Sequence, residues 1–169
     1  WRAFERHYSL TTYEQLISKL DSTIPVYPDW IKGIACALGS AGLAFLYSGD
    51  MIAFIVTVIC SLIGYFGRTL SVRFGCNEYV GIAIGGFAAM VSAYGFYSHI
   101  EQFSLVYVLV CCTLFMIPGV PLINSVIDTI NNHILSGITR AIRTILIVGS
   151  MTLGMAMALY FSPMPAFSF

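Results

Sequence analysis

The sequence predicts an all-α integral membrane protein with five transmembrane helices, the fourth broken at Pro118-Gly119. Three observations carry that prediction. Of the 169 residues, 58% are hydrophobic and only 9% are Asp, Glu, Lys or Arg, against about 25% charge in an average soluble domain. The charges are bunched, which leaves five charge-free runs, each reaching the roughly 17–25 residues that cross about 30 Å of hydrocarbon. Stretches such as Met51 to Cys60 do not alternate, as the strands of a membrane barrel must. A soluble globule lacks a surface on this composition. A disordered chain is excluded by the apolar content. Eight basic against eight acidic residues leave no cationic face for nucleic acid.

Residues 1–30 stand apart. Leu10, Tyr13, Leu16, Ile17 and Leu20 recur at helical spacing, which predicts an amphipathic cytoplasmic helix. Pro25 and Pro28 break it before the membrane. The chain opens on Trp1 without a signal-peptide pattern, so the segment is expected to be the end of a longer N-terminal region.

The spanning domain follows over 31–162. Its charge-free runs are Gly33 to Gly49, Met51 to Gly67, Tyr79 to Ile100, Gln102 to Ile127 and Thr144 to Phe169. Residues 163–169 make a short tail containing Pro163 and Pro165. Arg2, Arg6, Lys19 and Lys32 precede the first run, Arg68 and Arg73 separate the second from the third, and Arg140 and Arg143 separate the fourth from the fifth. The other exposed ends carry no basic residue. The positive-inside rule then puts the N-terminus in the cytoplasm and the C-terminus and tail outside. Tyr27, Trp30, Tyr47, Tyr65, Tyr79, Tyr94, Tyr97 and Tyr160 stand near the ends of the runs, where amphipathic rings favour the headgroups.

Catalytic signatures are absent. Five cysteines include no CxxC pair, and His7, His99 and His133 form no metal-binding spacing. No nucleophile elbow or phosphate-cradling loop occurs. Neither an enzyme, nor a metal, nor a cofactor is predicted. Ala35 with Gly39, Gly81 with Gly85 and Gly85 with Ala89 form small-residue stripes of the kind that pack membrane helices closely.

The unusual stretch runs from Ile117 to Arg140. The uninterrupted helix before it, Phe103 to Ile117, is only about 22 Å long. Pro118, Gly119 and Pro121 are therefore expected at membrane depth, where proline removes a donor and breaks the helix. Broken backbone is tolerated in a bilayer only inside protein or along a wet cavity. A new helix starting at Pro121 would offer unpaired N–H groups to an anion. Asn124, Asp128 and Asn131 then share one helix face, with Leu122, Val126, Ile130 and Ile134 roughly opposite. Asp128 is the only carboxylate after Glu101. A charge at helix centre costs about 2.5–3.5 kcal/mol and so marks a functional cavity. The alternative is an amphipathic helix at the cytoplasmic interface, with Asp128 in water. Asp50 and Glu78 read as helix caps or loop charges.

This stretch resembles the threonine/serine exporter family. Its Pro-Gly-x-Pro segment, followed by Asn, Asp and Ser-Gly-x-x-Arg, is matched in order by Pro118, Gly119, Pro121, Asn124, Asp128, Ser136, Gly137 and Arg140. The resemblance implies a multi-pass protein of the cell (inner) membrane that exports small polar metabolites of the threonine/serine type using the proton gradient. It implies that Asp128 carries the proton, that Asn124, Ser136 and the broken backbone contact substrate, and that Arg140 guards the cytoplasmic mouth. One branch of the family is split between this five-helix half and a homologous smaller membrane subunit, and is associated with succinate-like dicarboxylates. The expected partners are therefore lipid, a small polar metabolite, protons, and a smaller subunit or further copies of the chain. A non-transporting assembly subunit is the reading from another class.

Overall fold

The computed structural model describes residues 27–100 and 104–162. The expected amphipathic helix before Tyr27 and the tail after Ser162 lie outside those residues. Of the first compact unit, Trp1–Lys32, only the start of a helix is described. There the Pro28 carbonyl accepts from the Ile31 and Lys32 amides at 3.1 and 3.4 Å, and Lys32 Nζ lies 3.5 Å from Asp29 Oδ1.

The second unit, from Gly33 onward, is helical, and no strand occurs among its described residues. The helices are α1 (Asp29–Ser48), α2 (Met51–Arg73), α3 (Glu78–Tyr97), α4 (Leu105–Cys111), α5 (Gly119–Ile130) and α6 (Ile134–Phe161), with a 3-10 turn at Leu114–Met116. Four of them are long and apolar enough to cross a membrane, and the pair formed by Leu105–Met116 and Gly119–Ile130, bent by 57°, makes a fifth if counted as one span. The protein is a multi-pass membrane protein.

Helices outrun the charge-free runs. α2 continues past Gly67 to Arg73, and α6 begins at Ile134 rather than Thr144. The reason is that Arg68, Arg140 and Arg143 meet carboxylates and need not end a helix. Tight reversals join the long helices. Gly49 and Gly75 take φ values of 72° and 86° between α1, α2 and α3, a region that side chains with a Cβ seldom enter.

The break is longer than Pro118-Gly119. α4 stops at Cys111. The Thr113 hydroxyl bonds back to the Val110 carbonyl at 3.0 Å, competing with the helical ladder. Pro118 then holds Ile117 extended, at ψ 122°. α5 restarts at Gly119 with Pro118 as its N-cap, so Pro121 lies inside the first turn instead of opening the helix.

Packing is close where small residues face one another. A Cβ on Gly85 would meet the Gly64 carbonyl oxygen at 2.8 Å, and one on Gly154 would collide with the Ala83 backbone. α3 is thereby held between α2 and α6, as membrane helices require in the absence of a hydrophobic drive. Gly81, Gly85 and Ala89 are buried as expected. Ala35 and Gly39 are exposed, and α1 instead buries Gly33, Ala37, Ser40, Ala41 and Ala44.

Two apolar clusters fill the bundle. One joins Ala53, Val56, Cys60, Ala89, Met90, Ala93, Leu105, Val108, Leu109, Cys112 and Ala158. The other joins Ile82, Met116, Ile147 and Met151. Met116, just before the break, belongs to the second cluster. The first part of the break, from Cys111 to Thr113 and at Met116, is buried in the bundle, whereas Pro118 and Gly119 are half-buried and Ile117 and Val120 are exposed.

Candidate functional site

The site starts from a turn. α5 ends where Asn132 adopts φ 62°, a left-handed position that asparagine tolerates. The His133 amide then donates to the Asp128 carbonyl at 2.8 Å and the Asn132 amide to Thr129 at 3.2 Å. This pair of bonds closes the helix end and turns the chain straight into α6. The two helices form a hairpin. A Cβ on Gly137 would collide with the Thr129 hydroxyl and come within 2.9 Å of the Ser125 carbonyl oxygen, so only glycine lets α6 approach α5 this closely.

That contact sets the register of the polar groups. Ser136 Oγ donates to Asp128 Oδ2 at 3.0 Å. Arg140 Nη1 lies 2.9 Å from the same oxygen. Asp128, Ser136, Gly137 and Arg140, all singled out in the sequence, come together on two helices. The Asp128 side chain is 21% exposed and that of Arg140 47%. The pair is partly exposed at the edge of the hairpin.

The remaining candidates lie elsewhere. Pro118 and Gly119 are at the start of α5, about 14 Å along the helix axis from Asp128. Pro121 is in that first turn. Asn124 is half-buried one turn from Asp128, and Asn131 is exposed at the C-cap. Leu122, Val126, Ile130 and Ile134 are exposed, with Ile134 already in α6. The predicted site is thus two places, a half-buried break and an ion-paired hairpin, with Asn124 between them.

Two clusters were missed. Glu78, the first residue of α3, caps nothing, since Asn77 holds the N-cap position. Its Oε2 accepts from Arg143 Nη2 at 2.9 Å and its Oε1 faces Arg68 Nη2 at 3.5 Å, tying α2, α3 and α6 together. The only signal was that positive-inside counting gathers Arg68 and Arg143 on one side. The second cluster lies at the break. Ser40 Oγ and Ser61 Oγ are 2.8 Å apart, and Ser61 Oγ donates to the Cys112 carbonyl at 3.4 Å. That carbonyl lies just past the last residue of α4, and the two hydroxyls link it to α1 and α2. Asp50 does hold the N-cap position of α2, without a side-chain cap bond. Among the described residues, no group of three or more His, Cys, Asp or Glu is placed to hold a metal ion.

The family model described as "Putative threonine/serine exporter" matches residues 1–162. Two relatives named "Probable succinate transporter subunit YjjP", from Klebsiella aerogenes and Escherichia coli strain K12, are each 24% identical over 155 residues, which is 90% of this chain and 60% of theirs. The chain thus spans less than two thirds of these relatives. No solved structure matches. With the family model matched through the break, the hairpin and the helices that hold them, the chain belongs to the threonine/serine exporter family.

Proposed function

We propose that this chain is a subunit of a proton-coupled secondary exporter of small polar metabolites, with its N-terminus in the cytoplasm. The observation that carries the reading is the Asp128 carboxylate, held by Arg140 and Ser136 on a helix that restarts after the break at Pro118. Protonation of Asp128 removes the charge that holds Arg140. The Ser136 hydroxyl then keeps only a neutral, weaker acceptor, and both groups become available to a substrate. One proton thereby changes two contacts between α5 and α6. Asn124 and the broken backbone from Pro118 to Pro121 are assigned to substrate, and Asn131 and Gly137 to shaping the hairpin.

Helix length supports a position at the mouth rather than the midplane. α6 has 28 residues. About 20 of them suffice to cross the hydrocarbon, so counting back from Phe161 reaches the boundary near Ile142. On that count Arg140 lies about 3 Å and Ser136 about 9 Å beyond the hydrocarbon, which is the interfacial position of the alternative reading of Asp128, where protons are available from water.

The family name points to threonine and serine, and the two relatives are named as succinate transporter subunits. The word "subunit" in the relatives' names also supports a second membrane chain beside this one. Counterflow of labelled threonine, serine and succinate in proteoliposomes separates the substrates. Failure of all three in the assembled protein would favour a non-transporting assembly role. The coupling is tested by pH-gradient-driven uptake into inverted vesicles, with Asp128→Asn expected to abolish it.

A further inference from the structure

We propose that Arg68 and Arg143 form a loading site for a substrate carboxylate at the basic end of the bundle, in which Glu78 is an internal stand-in for that carboxylate. This deepens the export reading and rests on it. Each Glu78 oxygen meets a different guanidinium, Oε1 that of Arg68 and Oε2 that of Arg143. Two guanidinium groups converging on one carboxylate is the geometry used to recognise carboxylate anions.

The two sides of the cluster are placed differently. Arg68 rises from the interior of α2, and its stem passes where Gly81 and Gly85 of α3 lack side chains. A Cβ on Gly85 would lie 3.0 Å from Arg68 Cβ, and one on Gly81 3.3 Å from the Arg68 carbonyl oxygen. Glu78 instead follows the exposed loop from Phe74 to Asn77 and is itself half-buried, so water reaches its carboxylate. Arg68 is seated against α3, and Glu78 stands at the edge of the cluster, in the first turn of α3.

Charge and access fit an incoming anion. The side chains of Arg68, Glu78 and Arg143 are 32%, 39% and 60% exposed. Among the described residues, two cations face one anion here. Arg140, one turn from Arg143, is already engaged by Asp128. A carboxylate arriving from water is attracted by this end, takes the two guanidinium groups and displaces Glu78. One of its two guanidinium partners, Arg143, then stands one helical turn from Arg140 of the Asp128 pair. Amino acids and dicarboxylates both carry the required group.

The test is calorimetric titration of the full chain, assembled with its membrane partner in nanodiscs, with succinate, L-threonine and the neutral analogue succinamide. Succinate or threonine is expected to bind and succinamide not to. Glu78→Gln removes the internal competitor and should tighten carboxylate binding about two- to five-fold, as expected for a half-exposed ion pair. Arg143→Gln should weaken it about five-fold or more, and Arg143→Lys should restore part of the loss. Glu78→Asp, which keeps the charge but shortens its reach, should fall between the parent protein and Glu78→Gln. No carboxylate binding, or unchanged affinity in Arg143→Gln, overturns the site. If Glu78→Gln does not yield a monodisperse protein, unchanged affinity in both Glu78→Asp and Arg143→Gln overturns it equally. Asp128→Asn separates the two readings. Retained gradient-driven export in that variant defeats the proton role while carboxylate binding still decides the loading site.

Discussion

Arg140 and Arg143 lie one turn apart on the same helix yet serve different carboxylates. Arg140 holds Asp128 at 2.9 Å and Arg143 holds Glu78 at 2.9 Å. The first pair closes the hairpin between α5 and α6, and the second ties α6 to α3. One turn of α6 is therefore the junction between the broken span and the packed helices. Both pairs are partly exposed, so each contributes only about 0.2–1 kcal/mol to stability. Changes here should be read in transport rather than in folding.

Asp128→Asn is expected to abolish gradient-driven export while leaving stability within about 1 kcal/mol of the parent protein. Asparagine keeps the size and polarity but carries no titratable proton. Asn124→Ala should alter substrate affinity with coupling retained. Uptake into inverted vesicles, beside exchange without a gradient, distinguishes the two. Parent-level uptake against a gradient by Asp128→Asn would reject the proton role.

The orientation proposed from the basic residues can be tested by labelling. Exposed Cys76, in the loop between α2 and α3, should react with an impermeant thiol reagent only from the cytoplasmic side. Cysteines placed at Asp50 and His99, both exposed, should react from outside in a background lacking Cys76. Labelling of Cys76 in sealed cells reverses the topology.

Glycine tolerance should differ sharply between two positions. Gly154→Ala drives a methyl group into the Ala83 backbone, whereas a Cβ on Gly39 meets nothing within 4 Å. The first is expected to destabilise by about 1–3 kcal/mol and the second to leave the thermal transition of the purified protein unchanged. Equal melting temperatures for the two variants would show that α3 and α6 do not pack as described.

Ser61→Ala removes the hydroxyl that reaches both Ser40 and the Cys112 carbonyl. The expected loss is about 1 kcal/mol, the usual scale for a polar contact between membrane helices. Ser40→Ala added to Ser61→Ala should cost less than the two single changes together. Strict additivity in denaturant unfolding would mean that the hydroxyls act independently.

The membrane class, the long spans, the interruption around Pro118 and the gathering of basic residues between the same runs were legible in the sequence. Each depends on the transfer energy or backbone chemistry of a local stretch, which composition and proline carry without reference to the rest of the chain. The grouping of Asp128, Ser136, Gly137 and Arg140 was named there only through a family pattern. The turn at Asn132 and the closeness allowed by Gly137 are what bring them into contact. Three other features came only from the fold: the pairing of Glu78 with Arg68 and Arg143, the link from Ser40 through Ser61 to Cys112, and the choice of Gly154 over Gly39 as a packing contact. Glu78 and Arg143 are 65 residues apart and Ser61 and Cys112 are 51 apart. Periodicity within one helix marks its faces but not which face of which distant helix will meet them, and in a chain apolar nearly all round, that choice is made by close packing.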